Sequence, residues 1–181
     1  MNKLMVVGGI ALAGLTLCGA TNETARCGAD GGSAQTNTVA TVEKKKAGNP
    51  AIERLLREQK LNFEVDDDGD YKMLFETGEG RSQLVFVRSE FQCYKDYQTI
   101  HVFSVAYVGG LTKPMMADLL TRQHKVGAWI AEQTNEQEKV AVLFVAQLPA
   151  DIKATDFESC IRVVADTADA LEREWSDVDE R

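Results

Sequence analysis

Histidine and paired cysteines are scarce in this sequence. Its 181 residues include 2 His and 4 Cys, and no two of the cysteines form a C-x-x-C pair. Zinc sites draw their ligands from closely spaced Cys and His side chains, so the sequence predicts no zinc site. Nothing else in it predicts a cofactor.

Proline and long apolar runs are also scarce. The chain has 3 Pro, its composition is 44% hydrophobic, and a single apolar run approaches the length of a membrane span. These figures exclude fibrous, mucin-like and wholly disordered proteins, because enough apolar mass is present for a core. They also exclude a polytopic membrane protein, since each span needs about 20 apolar residues.

Positive charge is the third deficit. The chain carries 20 Lys and Arg against 28 Asp and Glu, a net charge of −8. Residues 1–50 have a net charge of +2 and residues 51–181 a net charge of −10. A mildly basic leader therefore precedes an acidic part of single-domain length. An acidic protein repels phosphate, so we expect no nucleic acid partner.

Residues 1–20 have the pattern of a signal peptide. One lysine precedes an uncharged run from Leu4 to Leu17, which is shorter than a membrane span, and small residues follow. Signal peptidase could cut after Ala20. The run ends in Leu-Thr-Leu before Cys18 and resembles a bacterial lipobox, so lipidation of Cys18 is a second reading and an uncleaved anchor is a third. We expect an exported protein that is periplasmic, or anchored in the membrane and facing the periplasm.

The rest of the chain divides into a tether, a domain and a tail. We expect residues 21–48 to form a disordered tether, because Thr, Asn, Ala, Gly and Ser dominate there without apolar periodicity. The folded domain is predicted over residues 49–176, and a polar tail over residues 177–181.

Apolar periodicity predicts an α+β domain. Short aromatic or β-branched runs bounded by turn residues indicate an antiparallel sheet, and three apolar stripes at helical spacing indicate helices that pack on it. The predicted order is α-β-β-β-β-α-β-β-α, in a curved antiparallel sheet with helices on one face. Asn49 caps the first helix, and Thr155 with Glu158 forms a capping box for the last. Helices are predicted at Pro50–Lys60, at Leu111–His124 and along the stripe from Phe157 to Trp175, and strands at Phe63–Val65, Tyr71–Glu76, Leu84–Val87, Ile100–Val108, Val126–Glu132 and Val140–Leu148.

The run Asp66-Asp67-Asp68-Gly69-Asp70 is the most unusual local feature. Carboxylates at alternate positions could hold Ca²⁺, with Asp66, Asp68 and Asp70 as ligands. An EF-hand loop that begins there would need Gly and Glu where the chain has Tyr71 and Thr77. Asp and Gly are also the residues that a hairpin turn prefers, so we interpret the run as a turn.

His101 and Ser104 lie close together in one predicted strand and could share its face. A base and a hydroxyl group on one face are two parts of a hydrolytic site. No nucleophile-elbow motif accompanies them, so they remain an alternative rather than the main hypothesis.

Cys93 and Cys160 are the two cysteines of the predicted domain. In an oxidising compartment they could form a disulfide. Cys160 lies next to the apolar stripe of the last helix, so a buried free thiol is the competing interpretation.

The stretch from Asn49 to Trp175 resembles the YbjN family of bacterial sensory-transduction-regulator-like proteins. The resemblance lies in the Val-Asp-x-Asp-Gly-Asp-Tyr hairpin, in Gly127-Ala128-Trp129, in Leu148-Pro149 and in Ala165-Asp166-x-x-Asp169. It implies the fold of type III secretion chaperones and a compact domain that binds other proteins, often as a homodimer. It implies no active-site residues.

We therefore expect an exported, non-enzymatic, chaperone-like domain that binds a protein partner through a groove or a sheet face. The alternative is a periplasmic hydrolase or small-ligand binder that uses His101 and Ser104. Calcium-dependent binding at Asp66, Asp68 and Asp70 is a third reading. Contact with a membrane is expected only through a lipid on Cys18 or an uncleaved signal anchor.

Overall fold

The computed structural model describes residues 46–136 and 139–175. The predicted signal peptide, most of the predicted tether, Cys18 and the predicted tail lie outside the described residues. No helix in the described ranges is long and apolar enough to cross a membrane. The helices are α1 (Pro50–Glu58), α2 (Lys113–Thr121) and α3 (Ala154–Trp175), and the strands are β1 (Glu64–Val65), β2 (Tyr71–Gly78), β3 (Arg81–Val87), β4 (Gln92–Tyr94), β5 (Tyr97–Gly109), β6 (Ala128–Gln133) and β7 (Val140–Pro149).

The strands form one open antiparallel sheet in the order β1-β2-β3-β5-β7-β6, with β4 paired to β5. The predicted α+β class and antiparallel sheet are confirmed. The predicted element order is wrong by one strand, because the segment around Cys93 was expected to be a loop. Tyr94 instead pairs with Tyr97 across a two-residue turn in which Lys95 adopts a left-handed φ of 55°. This turn folds β4 back onto the start of β5.

The main core lies between one face of the sheet and two helices. Helix α1 contributes Ile52, Leu55 and Leu56, whose spacing places all three on one side of the helix. The predicted apolar stripe of α3 is confirmed and buried on the same face of the sheet. Its fully buried members are Phe157, Ile161, Val164, Ala168 and Leu171.

The two predicted helix starts have different outcomes. The side-chain oxygen of Asn49 accepts a hydrogen bond from the Ala51 backbone N–H at 3.0 Å, so the predicted cap of α1 is confirmed. The predicted capping box of α3 is wrong, because the helix already begins at Ala154 and Thr155 lies inside its first turn. The Phe157 N–H donates to the Lys153 carbonyl oxygen, which closes that first turn two residues earlier than expected.

Helix α2 is shorter than predicted and lies largely in solvent. It spans nine residues, has no buried side chain and ends where Arg122 adopts an extended backbone. The Arg122 guanidinium pairs with Asp118 in the same helix and with Glu174 near the end of α3. These ion pairs attach the end of α2 to α3.

A buried ion-pair network attaches α3 to the start of β3. The Arg81 Nε donates to the Asp169 carboxylate at 2.7 Å, and a second Arg81 nitrogen lies 3.2 Å from Glu172. Asp169 is also 3.2 Å from Arg173 in the next turn of α3. Only 1% of the Asp169 side chain and 17% of the Arg81 side chain are exposed. Charges this well buried need partners, and here each one has them.

Candidate functional site

The sheet face opposite the helices carries a second apolar cluster, and we call this face the outer sheet face. Phe103, Ala141 and Leu143 are buried in the cluster, and three partly buried side chains pack against them. Every member of the cluster comes from β3, β5 or β7, so no described helix contributes to it. The partly buried members are Phe86, Val105 and Val145.

Exposed apolar side chains extend this cluster toward both edges of the sheet. Leu84 pairs with Leu74 on β2 and lies two residues from Phe86, so all three side chains share a face. Ile130 on the edge strand β6 pairs with Leu143. Leu84 is 37% exposed, and Leu74 and Ile130 are more exposed still. The apolar surface therefore continues across the sheet from β2 to β6.

Two phenylalanines form the centre of the outer sheet face. Phe86 and Phe103 are cross-strand partners, and their rings stack with centroids 5.2 Å apart and planes 14° from parallel. The Arg88 guanidinium lies 5.5 Å from the centroid of the Phe103 ring. Such cross-strand aromatic pairs and cation–π contacts restrict side-chain motion, so the floor of this face is well ordered.

A groove of about 260 Å³ crosses the outer sheet face over these side chains. Phe86, Phe103 and Leu143 form its apolar floor. Carboxylates lie toward both of its ends, with Asp66, Asp68, Asp70 and Glu90 on one side and Glu132 of β6 on the other. Lys46 and Arg88 also line it, and Lys46 lies 3.7 Å from Glu90.

The aspartate run forms the hairpin turn that we predicted between β1 and β2. The Asp66 carboxylate accepts hydrogen bonds from the backbone N–H groups of Asp68 and Asp70, and Gly69 has a left-handed φ of 86°. The Asp70 carboxylate accepts from the N–H and hydroxyl of Ser89, and burial raises its pKa. Two of the three candidate calcium ligands are therefore used within the protein. No group of three or more His, Cys, Asp or Glu residues in the described ranges could hold a metal ion.

The structure does not bring His101 and Ser104 together. They are three positions apart on β5, so strand alternation places them on opposite faces, and the predicted shared face is wrong. Ser104 is fully buried on the helix side of the sheet. Its hydroxyl donates to the Leu84 carbonyl oxygen at 2.7 Å and accepts from the Gln83 amide at 2.8 Å. The hydroxyl therefore has no geometry for attack on a substrate.

These side-chain hydrogen bonds take the place of backbone hydrogen bonds that are missing between β3 and β5. The pairing of β3 with β5 stops at Phe86 and Phe103, and the strands diverge beyond that point. Ser104 satisfies the Leu84 carbonyl oxygen, while the Gln83 amide also donates to the Val105 carbonyl oxygen at 2.8 Å. Buried carbonyl groups that lose their ladder partner need another donor, and Ser104 and Gln83 supply it.

His101 lies on the outer sheet face with its ring partly buried. Burial and the nearby Arg88 charge lower the pKa of its imidazole. Its Nε2 atom is shielded from solvent and has no hydrogen-bond partner among the described residues. A neutral ring in this position packs with the apolar face rather than acting as a base on Ser104.

The predicted Cys93–Cys160 disulfide is wrong. Cys160 has a free thiol that packs against the main core, and burial raises its pKa. Cys93 is disulfide-bonded, but not to Cys160. The competing interpretation of a free thiol at Cys160 is confirmed, although this thiol is only partly buried.

The sequence predicted binding at a groove or a sheet face but did not identify the residues of this face, although a signal for them was present. Strand β5 carries apolar residues at both alternating positions, with Val102 and Ala106 on one face and Phe103 and Val105 on the other. Such a strand is apolar on both sides and predicts contacts on both. No family model, curated protein or solved structure gives a significant match to this chain.

Proposed function

We propose that this chain is an exported, non-enzymatic protein-binding domain of the YbjN type that holds a partner segment on its outer sheet face. The observation that carries the proposal is the apolar surface built around Phe86, Phe103 and Leu143 without any described helix over it. Soluble domains seldom leave such a connected apolar surface unless it binds something. Aromatic side chains at the centre of a surface are also the groups that most often anchor a partner.

The finer fold assignment, a type III secretion chaperone-like arrangement, is part of the same proposal. It is supported by the motifs quoted from the sequence and by the succession of a leading helix, a sheet, a mid-chain helix and a closing helix. Domains of this kind act by holding another polypeptide and need no catalytic residues. The hydrolase alternative has no such support, because Ser104 is buried and lies on the opposite face from His101.

The test compares Leu84→Glu with Val163→Glu, two substitutions of similarly exposed apolar side chains on opposite sides of the protein. Leu84 is 37% exposed on the outer sheet face, and Val163 is 41% exposed on α3. Each variant and the parent chain are used to pull down partners from the native periplasm, with mass spectrometry to identify them. We expect the partner to be retained by the parent and by Val163→Glu and lost by Leu84→Glu. Equal recovery with all three chains would refute the assignment of the binding surface.

Export is tested by mass spectrometry of the mature N-terminus from native cells. A terminus after Ala20 supports secretion into the periplasm. A lipid-modified Cys18 supports a membrane-anchored protein that faces the periplasm. An unprocessed chain in the cytosol would contradict export altogether.

A further inference from the structure

Carboxylates outnumber cations in the groove on the outer sheet face. Five carboxylate side chains and two cationic side chains line it. The two cations are both occupied, since Lys46 pairs with Glu90 and Arg88 lies over the Phe103 ring. The groove therefore presents excess negative charge to whatever enters it.

Two of these carboxylates have neither a cation partner nor a hydrogen bond within the described part of the chain, whereas Asp66 and Asp70 accept hydrogen bonds and Glu90 pairs with Lys46. Asp68 lies in the hairpin turn at one side of the groove, and Glu132 lies on β6 at the other. Glu132 pairs across the sheet with Ala141, a member of the apolar cluster, so its side chain points to the outer sheet face. An apolar floor thus lies between two unpaired acidic groups.

The strand order sets the distance that an occupant must span. Asp68 lies beside the start of β2, and the sheet runs from β2 through β3, β5 and β7 to β6, which is four strand spacings of about 4.8 Å, or at least roughly 19 Å. An extended peptide advances about 3.3 Å per residue and covers that distance in about six residues. Two cationic side chains six residues apart would therefore reach both ends while the residues between them contact the floor.

We propose that the groove binds an extended partner segment in which basic residues flank a short apolar stretch. This inference rests on the proposed function and adds the chemistry of the partner. Phe86, Phe103 and Leu143 contact the apolar residues, and Asp68 and Glu132 pair with the flanking cations. Apolar contact supplies the affinity, and charge complementarity selects the partner.

The experiment uses fluorescein-labelled peptides and the full chain. The probe is Gly-Ser-Lys-Leu-Val-Leu-Val-Leu-Lys-Ser-Gly, and its two controls replace both Lys with Glu or replace the Leu-Val-Leu-Val-Leu centre with Ser-Gly-Ser-Gly-Ser. Fluorescence anisotropy is measured at low and at physiological salt. We expect the Lys-Leu peptide to bind most tightly, the Glu peptide more than tenfold more weakly, and salt to weaken the Lys-Leu peptide but not the Glu peptide.

Matched variants of the protein test whether Asp68 and Glu132 pair with the lysines of the peptide. The double variant Asp68→Asn, Glu132→Gln is expected to weaken the Lys-Leu peptide about threefold to tenfold, as for two partly exposed ion pairs. Asp166→Asn changes an exposed acid on α3 and is expected to leave the affinity unchanged. Leu84→Glu is expected to weaken every peptide that has an apolar centre.

The outcomes separate this inference from the proposed function. If Lys and Glu peptides bind equally and Leu84→Glu weakens both, the face binds polypeptide but the basic partner is wrong. If no peptide binds, and light scattering shows a dimer that Leu84→Glu dissociates, the occupant is a second copy of this chain and the inference fails. If no peptide binds and the chain captures no periplasmic partner, both proposals fail.

Discussion

At the scale of single residues, polar side chains in this sheet act mainly as substitutes for backbone bonds. The Ser104 hydroxyl and the Gln83 amide reach across the point where β3 and β5 diverge. The Asp66 carboxylate does the same in the hairpin turn, where it accepts two backbone N–H groups. Ser104, Asp66 and Asp70, which look catalytic or metal-binding in the sequence, thus have structural partners.

We predict that Ser104→Ala destabilises the protein by about 1–3 kcal/mol, because it leaves the buried Leu84 carbonyl oxygen without a donor. Urea unfolding measures the change. Ser159→Ala is the control, since its hydroxyl donates to the Thr155 carbonyl oxygen on the exposed side of α3. A loss at Ser104 no larger than the loss at Ser159 would contradict the structural role.

We predict that His101 makes stability depend on pH. Burial lowers the pKa of the folded-state imidazole below its ordinary 6.5. The unfolded chain therefore binds a proton that the folded chain does not, so the free energy of unfolding falls as pH drops below about 6.5. His101→Gln should flatten this fall when urea unfolding is measured between pH 7.5 and 5.

Two other titratable groups, His124 and Asp70, also make the free energy of unfolding depend on pH, so the measurement needs controls for them. Burial also lowers the pKa of His124, so some pH dependence should remain in His101→Gln and disappear when both histidines are replaced. Burial raises the pKa of Asp70, which acts with the opposite sign toward lower pH. Each variant is therefore compared with the parent at the same pH, and an unchanged slope in His101→Gln would overturn the prediction.

At the scale of elements, ion pairs attach the C-terminal turns of α3 to distant parts of the chain. Arg81 at the start of β3 contacts Asp169 and Glu172 of α3. Arg122 at the end of α2 contacts Glu174. These contacts join elements that are far apart in sequence, while the core supplies most of the apolar burial.

We predict that Arg81→Met costs about 3–5 kcal/mol of unfolding free energy, because it leaves the Asp169 carboxylate buried with fewer cations around it. Arg54→Met is the control, since Arg54 is well exposed and pairs only loosely with Glu58. We expect that change to lie within about 0.5 kcal/mol of the parent. Similar losses for both variants in urea unfolding would show that the buried network adds nothing.

At the scale of the whole molecule, two apolar surfaces lie on different parts of the protein. One is the outer sheet face, and the other is α2, where Leu120 is 87% exposed and Met116 is also exposed. Because the surfaces lie on separate elements, one can bind a partner while the other joins two copies of the chain. The resemblance to the YbjN family implies a homodimer, and we propose α2 as its interface.

We predict a dimer by size-exclusion chromatography with light scattering. Leu120→Lys should shift the mass toward the monomer, since a charged side chain at an apolar interface is costly to bury. Leu84→Glu should leave the mass unchanged. A strict monomer at high protein concentration would contradict the dimer, and dissociation by Leu84→Glu would place the interface on the sheet instead.

Much of the local structure could be predicted from the chain. The Asn49 cap, the aspartate turn and the apolar stripe of α3 each depend on residues within a few positions of one another, and all three were predicted correctly. Strand β4 was missed because its pairing depends on a left-handed Lys95 rather than on Gly or Asn. The candidate pair of His101 and Ser104 failed because a one-residue difference in spacing decides the face of a strand.

The sequence by itself determined the acidic charge, the element types and the positions of most turns, because composition and periodicity are properties of neighbouring residues. Only the tertiary structure decided the strand order and the side of the sheet that the helices cover. It also decided that Phe86 stacks on Phe103 and that Arg81 reaches Asp169, 88 positions away. Such contacts form between segments that the chain must first bring together, and no local pattern encodes which segments meet.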